Sequence, residues 1–237
     1  MTVLQFSAPP SCLKHQYWKG LLRIGGLIID FFFKKKVTVF VLHNNSQQTP
    51  FYVNVDECAL YTLPDTAVQR NGKPLFVPDF AVPCALNAHV AIRISRLGRS
   101  VSERFASRYW DAVSLSAHFV AIHLLEQAQR EGLPWSTATG FDSAVHIGDF
   151  LSKDTLFTTE KQLAFRMTTS SGQQLLGIIP DVEVVASAAI SRISRFYMIR
   201  NGDIILLPAT SPGCEAVIGT RIEGLISDIQ VLGFNVK

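Results

Sequence analysis

The cysteines and histidines of this sequence are considered first for their chemistry. Cysteine can bind a metal or form a disulfide, and histidine can bind a metal or transfer a proton. The four cysteines are widely separated and form no Cys-x-x-Cys pair: Cys12, Cys58, Cys84 and Cys214. A zinc knuckle needs closely paired thiols and a disulfide framework needs a regular pattern, so the sequence predicts neither. We interpret the cysteines as buried or neutral thiols of a reducing compartment, and we predict a cytoplasmic location.

Motifs for nucleophilic and nucleotide chemistry are missing from the sequence. There is no Gly-x-Ser-x-Gly elbow to present a serine nucleophile, and no Gly-x-Gly-x-x-Gly or Walker-type loop to hold phosphates. Two histidines have simple structural explanations. His123 lies at helical spacing from Gln127 and is expected at the surface or in an interface, and His146 is expected to satisfy the backbone of a turn.

The charge of the chain is unevenly distributed. Its 237 residues carry 22 basic and 19 acidic side chains, a formal net charge of +3. Residues 1–36 hold six basic residues and one acidic residue, so this segment has a net charge of +5 and the remainder has −2. Because the body has no basic excess, we predict that no nucleic acid is a partner.

Residues 1–36 form a basic, apolar N-terminal extension in front of a predicted domain at residues 37–237. Arg23 and Asp30 interrupt its apolar run, which is shorter than the roughly 18 residues of a transmembrane helix. Lysines stand where a signal peptide would be cleaved. We therefore predict no transmembrane segment. Attachment to a membrane surface and a misassigned translation start both stay open, and we favour the second because glycines and adjacent phenylalanines make a poor amphipathic helix.

The positions of apolar residues predict many strands and few helices in residues 37–237. Helices are predicted at Ile122–Glu131, at Val182–Phe196 and after Ser102, which is a suitable N-cap. Strands are predicted at 37–42, 90–95, 112–121, 163–168, 175–179, 204–207 and 229–234, with a short extended piece at 75–77. Strands and helices do not alternate regularly, so the sequence predicts one α+β domain.

Five ordered segments resemble the fumarylacetoacetate hydrolase (FAH) family. They are residues 71–80, residues 92–113, Leu133-Pro134-Trp135, Gly140-Phe141-Asp142 and the Asn201-Gly202-Asp203 turn with the apolar strand after it. The resemblance covers roughly residues 37–237 and rests on several motifs in one order, which makes a chance match improbable. The chain is identified as a divergent member of this family.

The resemblance implies an FAH-like mixed β-roll or barrel with flanking helices, and a homodimer. It also implies hydrolysis of a C–C bond, or decarboxylation, in small 2-keto or 1,3-dicarbonyl acids. Family members polarise the substrate carbonyl with magnesium or manganese. Such hard ions prefer oxygen ligands, and the family supplies a Glu-x-Glu pair and an Asp.

The family's chemical positions are altered in this sequence. The Glu-x-Glu pair falls on Asn87 and His89, and the Asp falls on His118. The catalytic lysine falls on Thr139, and the histidine base of hydrolytic members falls on Gln48. The resemblance therefore implies that three carboxylate ligands, the lysine and the base are all replaced.

Three positions remain as candidates for binding a substrate. Asp142 is retained from the family pattern, and His123 ends the segment that matches the family's Thr/Ser-Ala-Arg-Asp tetrad. The family's Gly-Thr-Pro turn reads Pro208-Ala209-Thr210, which leaves the hydroxyl of Thr210 as the third candidate. Arg93, Arg96 and Arg99 are a further possible anion site, although a strand with alternating arginines is more often a solvated face.

Two interpretations of the altered site follow. In one, Asn87, His89 and His118 form a converted site for a transition metal, since imidazole suits zinc, copper or nickel better than magnesium. In the other, the site has decayed and the histidines bond locally. We favour the second, because the lysine and base are replaced too. We predict a catalytically impaired protein, without a confidently assigned cofactor, that binds a small carboxylic acid or serves as an assembly partner. The alternative is an active family enzyme with a re-liganded divalent metal site.

Overall fold

The structure is a computed structural model that describes residues 17–24, 27–34, 37–43, 54–70, 72–157, 161–209 and 213–237. By its contacts the chain divides into two compact units, Met1–Val37 and Thr38–Lys237. In the first unit, strands β1 (Tyr17–Ile24) and β2 (Leu27–Lys34) pair antiparallel, with Tyr17 opposite Lys34. That residues 1–36 are an extension foreign to the fold stays a prediction.

The second unit contains thirteen strands and five helices within the described part of the chain. The strands are β3 (Val39–His43), β4 (Ala59–Leu63), β5 (Val68–Arg70), β6 (Cys84–Ile94), β7 (Trp110–Ala121), β8 (Val145–Ile147), β9 (Leu151–Ser152), β10 (Leu163–Thr169), β11 (Gln174–Ile179), β12 (Ile204–Leu206), β13 (Cys214–Glu215), β14 (Arg221–Ile226) and β15 (Ile229–Asn235). The helices are α1 (Glu103–Ala106), α2 (Ile122–Glu131), α3 (Ser136–Thr139), α4 (Lys153–Leu156) and α5 (Val182–Phe196). Short 3-10 turns lie at Val55–Glu57, Asp65–Ala67, Asp79–Ala81 and Ser107–Tyr109.

Most strands belong to a mixed sheet with the order β4-β3-β12-β6-β7-β8-β5, to which β13 adds beside β6 and β9 beside β7. The β12–β3 and β5–β8 pairs are parallel and the other pairs are antiparallel. A second, antiparallel sheet has the order β11-β10-β14-β15. The fold is thus an α+β mixed sheet with a few flanking helices, as the sequence predicts.

The large sheet is strongly curled. Tyr61 on β4 and His118 on β7 are separated by three intervening strands, which in a flat sheet would place them roughly 19 Å apart at about 4.8 Å per strand. Their ring centroids are 6.5 Å apart. The sheet therefore bends into a half-barrel whose concave side brings these two rings together.

The two faces of the large sheet differ in chemistry. One face contributes apolar side chains to the main hydrophobic core, together with the small sheet and α5: Phe40, Leu42, Leu86, Val90, Ile92, Leu115, Phe119 and Ile205. Because side chains alternate along a strand, the intervening residues of β6 and β7 lie on the other, concave face. That face carries His89, Ser114, Ser116 and His118, all fully buried.

The retained Asn201-Gly202-Asp203 turn has a structural role. Asp203 is buried, and its carboxylate accepts hydrogen bonds from the backbone N–H groups of Thr38 at 3.0 Å and Arg200 at 2.7 Å. Gly202 has φ +94°, a left-handed conformation that favours glycine. The turn ties the start of β3 to the start of β12.

Predicted and observed elements agree best where the apolar pattern is long. Both α2 and α5 have the predicted bounds, and Asp181 caps α5 by accepting from the N–H groups of Glu183 and Val184. The helix after Ser102 is only one turn, and Leu75 forms a single bridge to Val236 and no strand. In the described residues Cys58, Cys84 and Cys214 are free thiols, as predicted. None of the helices in the described part is long and apolar enough to cross a membrane.

Candidate functional site

Strands β6 and β7 place side by side the residues that the resemblance assigns to the metal-ligand positions. Asn87 pairs directly with His118, and His89 pairs with Ser116. Directly opposed residues and residues two apart share a face of a sheet, so all four side chains lie on the concave face. The imidazole centroids of His89 and His118 are 5.7 Å apart. The structure therefore brings together the three residues that the resemblance assigns to the metal.

Main-chain carbonyls fix the protonation pattern of both histidines. His89 Nδ1 lies 2.9 Å from the oxygen of Leu207, and His118 Nε2 lies 2.8 Å from the oxygen of Thr139. A carbonyl only accepts hydrogen bonds, so each of these nitrogens must carry the proton. In the neutral rings the lone pairs then reside on His89 Nε2 and His118 Nδ1. These two atoms, and Ser116 Oγ, are buried without a hydrogen-bond partner.

Burial keeps both rings neutral. It lowers the pKa of His89 to about 3, with a smaller contribution from His118, and the hydrogen bond to Leu207 opposes the shift. Burial likewise lowers the pKa of His118 to about 4, opposed by its hydrogen bond to Thr139. The charged form of an imidazole is disfavoured in an apolar interior. At neutral pH the site therefore offers two uncharged rings with lone pairs.

An aromatic rim lies next to the two histidines. Tyr61 is 6.5 Å from His118 and 6.4 Å from Trp135 between ring centroids, and His43 is 6.3 Å from Trp135. The three rim side chains are half-buried, whereas His89 and His118 are fully buried. Burial raises the pKa of Tyr61 and lowers that of His43. We call His43, Tyr61, His89, His118 and Trp135 the histidine pocket.

Thr139, to which the resemblance assigns the catalytic lysine position of the family, has a structural role in the histidine pocket. Its side chain is buried and its hydroxyl donates to the Trp135 oxygen at 2.9 Å. Its own main-chain oxygen accepts from His118. Both polar groups of Thr139 are therefore engaged within the protein.

The other predicted site residues lie elsewhere. His123, on the first turn of α2, and Asp142 are both exposed, outside the buried pair of histidines. Gln48 and Thr210 lie outside the described residues. Arg93 pairs with Asp111 through two hydrogen bonds of 2.9 and 3.0 Å, and Arg96 and Arg99 are exposed, which agrees with a solvated face.

His146 is in strand β8, not in a turn itself, and is fully buried. Its ring interacts with the main chain of Lys73, whose N–H bonds to the oxygen of Arg70, so its role in satisfying the backbone of a turn stays a prediction. His146 pairs with Ala117 and therefore faces the hydrophobic core, opposite to the histidine pocket. Its ring stacks on Phe234 at a centroid distance of 4.0 Å and meets the edge of Phe119 at 5.9 Å.

The residues at the ligand positions do not fit magnesium or manganese. These ions prefer carboxylate and other oxygen ligands, while the three positions supply one amide and two imidazoles. In the described part of the chain, no three or more His, Cys, Asp or Glu side chains converge on a common point. The site differs from the oxygen-ligand set that such a hard ion needs.

Comparison with known proteins assigns the class. The curled mixed sheet with a few flanking helices is an α+β architecture that matches solved structures of FAH-family proteins. The family model for fumarylacetoacetate (FAA) hydrolase, C-terminal, matches residues 35–219. The chain therefore belongs to the fumarylacetoacetate hydrolase family.

Relatives and solved structures agree with this assignment at low identity. The chain is 24% identical over 178 residues to the oxaloacetate tautomerase FAHD1, mitochondrial, of Rattus norvegicus, covering 73% of this chain and 80% of the relative. The Arabidopsis thaliana protein of the same name is 23% identical over 181 residues, covering 76% and 81%.

Among solved structures, fumarylpyruvate hydrolase from Pseudomonas aeruginosa in complex with Mn2+ and pyruvate has a TM-score of 0.71 at 16% identity, covering 96% of this chain and 99% of that one. The 2-hydroxyhepta-2,4-diene-1,7-dioate isomerase from Mycobacterium marinum has a TM-score of 0.68 at 19% identity, covering 92% and 86%. Identities this low support the fold. A divalent ion thus accompanies at least one protein of this fold.

Sequence reasoning missed the pocket residues contributed by β3, β4 and the loop before α3. The signal for Trp135 was present, since it belongs to the Leu-Pro-Trp segment that resembles the family. Tyr61 and His43 carried no local signal, because only the curl of the sheet brings β4 near β7. Ser116 was hidden inside an apolar run, although its pairing with His89 follows once the strand register is known.

Proposed function

We propose that this chain is a catalytically impaired member of its family, in which the magnesium- or manganese-dependent carbonyl chemistry is lost or altered, and that it binds a small carboxylic acid or serves as an assembly partner. One observation carries the proposal: neutral, carbonyl-anchored imidazoles are present at the two positions that the resemblance assigns to carboxylate ligands. Replacing carboxylates with neutral rings removes the negative charge that a hard divalent ion needs. Without that ion, the family's means of polarising a carbonyl is missing.

The replaced lysine supports the same proposal. Thr139 has no titratable group, and its hydroxyl is already bonded to Trp135. Burial lowers the pKa values of His89 and His118, which lie in the histidine pocket. They are consequently poor proton carriers near neutral pH, where an effective general base has a pKa close to the working pH.

Small acids are the proposed ligand class because related proteins are named for them. Relatives are named oxaloacetate tautomerases, and a solved structure of this fold holds pyruvate. In this chain, the half-buried rings of Tyr61 and Trp135 would border such a ligand beside His118. Mn or Mg is the family's ion, and no cofactor is assigned confidently to this chain.

An active enzyme with a re-liganded metal site is the second candidate. It is favoured by one observation, the two unpaired ring nitrogens of His89 and His118. The two functions differ in turnover, since only the second requires protein-dependent conversion of a substrate.

Homodimerisation and a cytoplasmic location belong to the proposal as well. Backbone hydrogen bonds between Gly98 and Ile199 bring two segments together, and large apolar side chains flank this bridge: Leu97 is 64% exposed, Phe196 67% and Met198 46%. Apolar groups clustered at a surface favour contact with another protein. The relatives carry a mitochondrial designation in their names, so fractionation of the native cell must distinguish the two compartments.

The function is tested by measuring turnover and binding on the same full-length protein. Oxaloacetate tautomerisation and fumarylpyruvate hydrolysis are assayed with millimolar magnesium or manganese, and pyruvate and oxaloacetate binding is measured by calorimetry. We expect no turnover above the protein-free rate, and saturable acid binding that weakens at least fivefold in Trp135→Ala. The matched control is Phe105→Ala, an exposed aromatic residue outside the pocket, which should bind like the unmodified chain.

Metal-dependent turnover that is lost in Trp135→Ala would establish the second candidate and contradict the first. Absence of both turnover and acid binding would leave the assembly role, which analytical ultracentrifugation then tests through self-association.

A further inference from the structure

We propose that His89 and His118 together bind a divalent ion of the zinc class, through Nε2 of His89 and Nδ1 of His118. The observation behind this proposal is the pair of fully buried ring nitrogens that have lone pairs and no hydrogen-bond partner. A buried acceptor without a donor costs free energy, and unpaired polar groups in folded proteins usually mark an ion, a water or a ligand. Two such acceptors on neighbouring strands point to a shared occupant.

The outer hydrogen bonds match the arrangement of metal-binding histidines. A coordinating imidazole typically donates its other N–H to a backbone carbonyl or carboxylate, which fixes the tautomer and aims the lone pair at the metal. His89 donates to Leu207 and His118 donates to Thr139 in this way. The two rings are therefore held with their free nitrogens unprotonated before any ion arrives.

The spacing of the rings also fits a shared ion. With metal–nitrogen distances of about 2.0–2.1 Å and a tetrahedral angle, two imidazoles on one ion have centroids roughly 5–6 Å apart. The observed separation is 5.7 Å. Asn87, opposite His118 in the strand register, and Ser116, opposite His89, place an amide and a hydroxyl on the same face. These oxygen groups could complete the coordination along with solvent.

The ligand chemistry selects the kind of ion. Neutral imidazole suits zinc, copper and nickel, whereas magnesium prefers carboxylate, carbonyl and water oxygens. Two imidazoles in place of carboxylates should therefore make this site prefer zinc, copper or nickel to magnesium. This inference goes beyond the proposed function, because such an ion can be bound with or without turnover.

The test is a metal titration of the full chain, prepared without a histidine tag and freed of metal with a chelator. Zinc binding is measured by calorimetry, and cobalt is used as a coloured probe whose visible absorption reports nitrogen coordination. We expect one ion per chain, affinity at least tenfold weaker in His89→Gln and in His118→Gln, and no displacement by millimolar magnesium. The matched control is His146→Leu, which removes an equally buried histidine from the opposite face and should bind zinc normally.

A second measurement covers the case in which a glutamine variant does not fold. Nitrogen-15 spectra of the unmodified chain report each imidazole nitrogen, and zinc should shift His89 Nε2 and His118 Nδ1 while their partners stay protonated. Unshifted ring signals would overturn the proposal and indicate a bridging water in its place. Zinc binding that survives both glutamine substitutions, or equal competition by magnesium, would overturn it too. Failure of the unmodified chain to bind zinc would overturn the proposal and leave the proposed function standing. Manganese-dependent turnover would overturn that function without bearing on zinc.

Discussion

His118 donates its Nε2 proton to the main-chain oxygen of Thr139 at 2.8 Å. The residue that the resemblance assigns to the family's lysine position therefore anchors a residue that it assigns to the metal. The hydroxyl of Thr139 is engaged as well, through its hydrogen bond to Trp135. Restoring one ancestral residue at a time would disturb this arrangement, and the expected consequences can be measured.

Thr139→Lys should lower stability and should not create turnover. Thr139 is 2% exposed, so a lysine there would place an ammonium group in a buried site without a carboxylate partner. Such a change costs several kcal/mol or forces the lysine to deprotonate. Urea unfolding measures the cost, and the oxaloacetate assay measures turnover.

Conservative variants separate the hydroxyl of Thr139 from its volume. Thr139→Val removes the hydrogen bond to Trp135 and should lower the free energy of unfolding by about 1 kcal/mol. Thr139→Ser keeps the hydroxyl and should have a stability closer to that of the unmodified protein. A lysine variant as stable as the unmodified chain would show that the site has room for the ancestral residue.

The stability of the protein should decrease in mild acid, in part because of His146. Burial lowers the pKa of His146 to about 4 from the ordinary value of 6.5, and the nearby main chain of Lys73 offsets part of the shift. The unfolded chain takes up the proton first as the pH falls. The contribution of neutral His146 to the free energy of unfolding is therefore complete above pH 6.5. It is lost as the pH falls toward 4, by up to about 1.4 kcal/mol per pH unit.

His146→Leu tests the origin of this acid sensitivity. The variant should take up fewer protons on unfolding, so its unfolding free energy should fall less steeply between pH 6.5 and pH 5 in urea titrations. The exposed His123→Ala serves as the control and should keep the steep dependence. Identical pH slopes for His146→Leu and the unmodified protein would assign the acid sensitivity to other groups.

Asp203→Ala should destabilise the fold strongly. The substitution removes the acceptor of two backbone N–H groups, from Thr38 and Arg200. A loss of roughly 2–4 kcal/mol is expected, since two main-chain donors lose a charged acceptor that is itself buried. Asp203→Asn retains one carbonyl oxygen, so its free energy of unfolding should lie between those of the unmodified protein and Asp203→Ala.

The exposed Asp142→Ala provides the matched comparison for Asp203 and should change the unfolding free energy by less than about 0.5 kcal/mol. An effect of Asp203→Ala as small as that of Asp142→Ala would contradict the structural role of the turn. Chemical denaturation at pH 7 measures all three variants.

Sequence reasoning predicted the fold where apolar periodicity is long and where turn residues are distinctive. Helix α5 is an example, because buried residues such as Val182, Ala186 and Ile190 recur at helical spacing behind the Asp181 cap. Strands β5 and β8 were missed because three residues carry too little pattern. Strand β14 was missed although its polar and apolar residues alternate, and Gly224 interrupts that pattern.

For the candidate site, the resemblance predicted the proximity of Asn87, His89 and His118, and the register of β6 and β7 places them on one face. Their role as a site stays a prediction. The resemblance could not predict the protonation pattern, which depends on the main-chain oxygen of Leu207, 118 residues from His89 in the chain. Nor could it predict the aromatic rim, which depends on the curl of the sheet.

We propose that the imidazoles of His89 and His118 leave the site unable to bind magnesium or manganese. Electron paramagnetic resonance of Mn2+ titrated into the metal-free full chain tests it most directly, because the signal of the free hydrated ion weakens on binding. We expect the free-ion signal to stay undiminished up to millimolar protein. Stoichiometric loss of that signal, restored by His89→Gln, would contradict it.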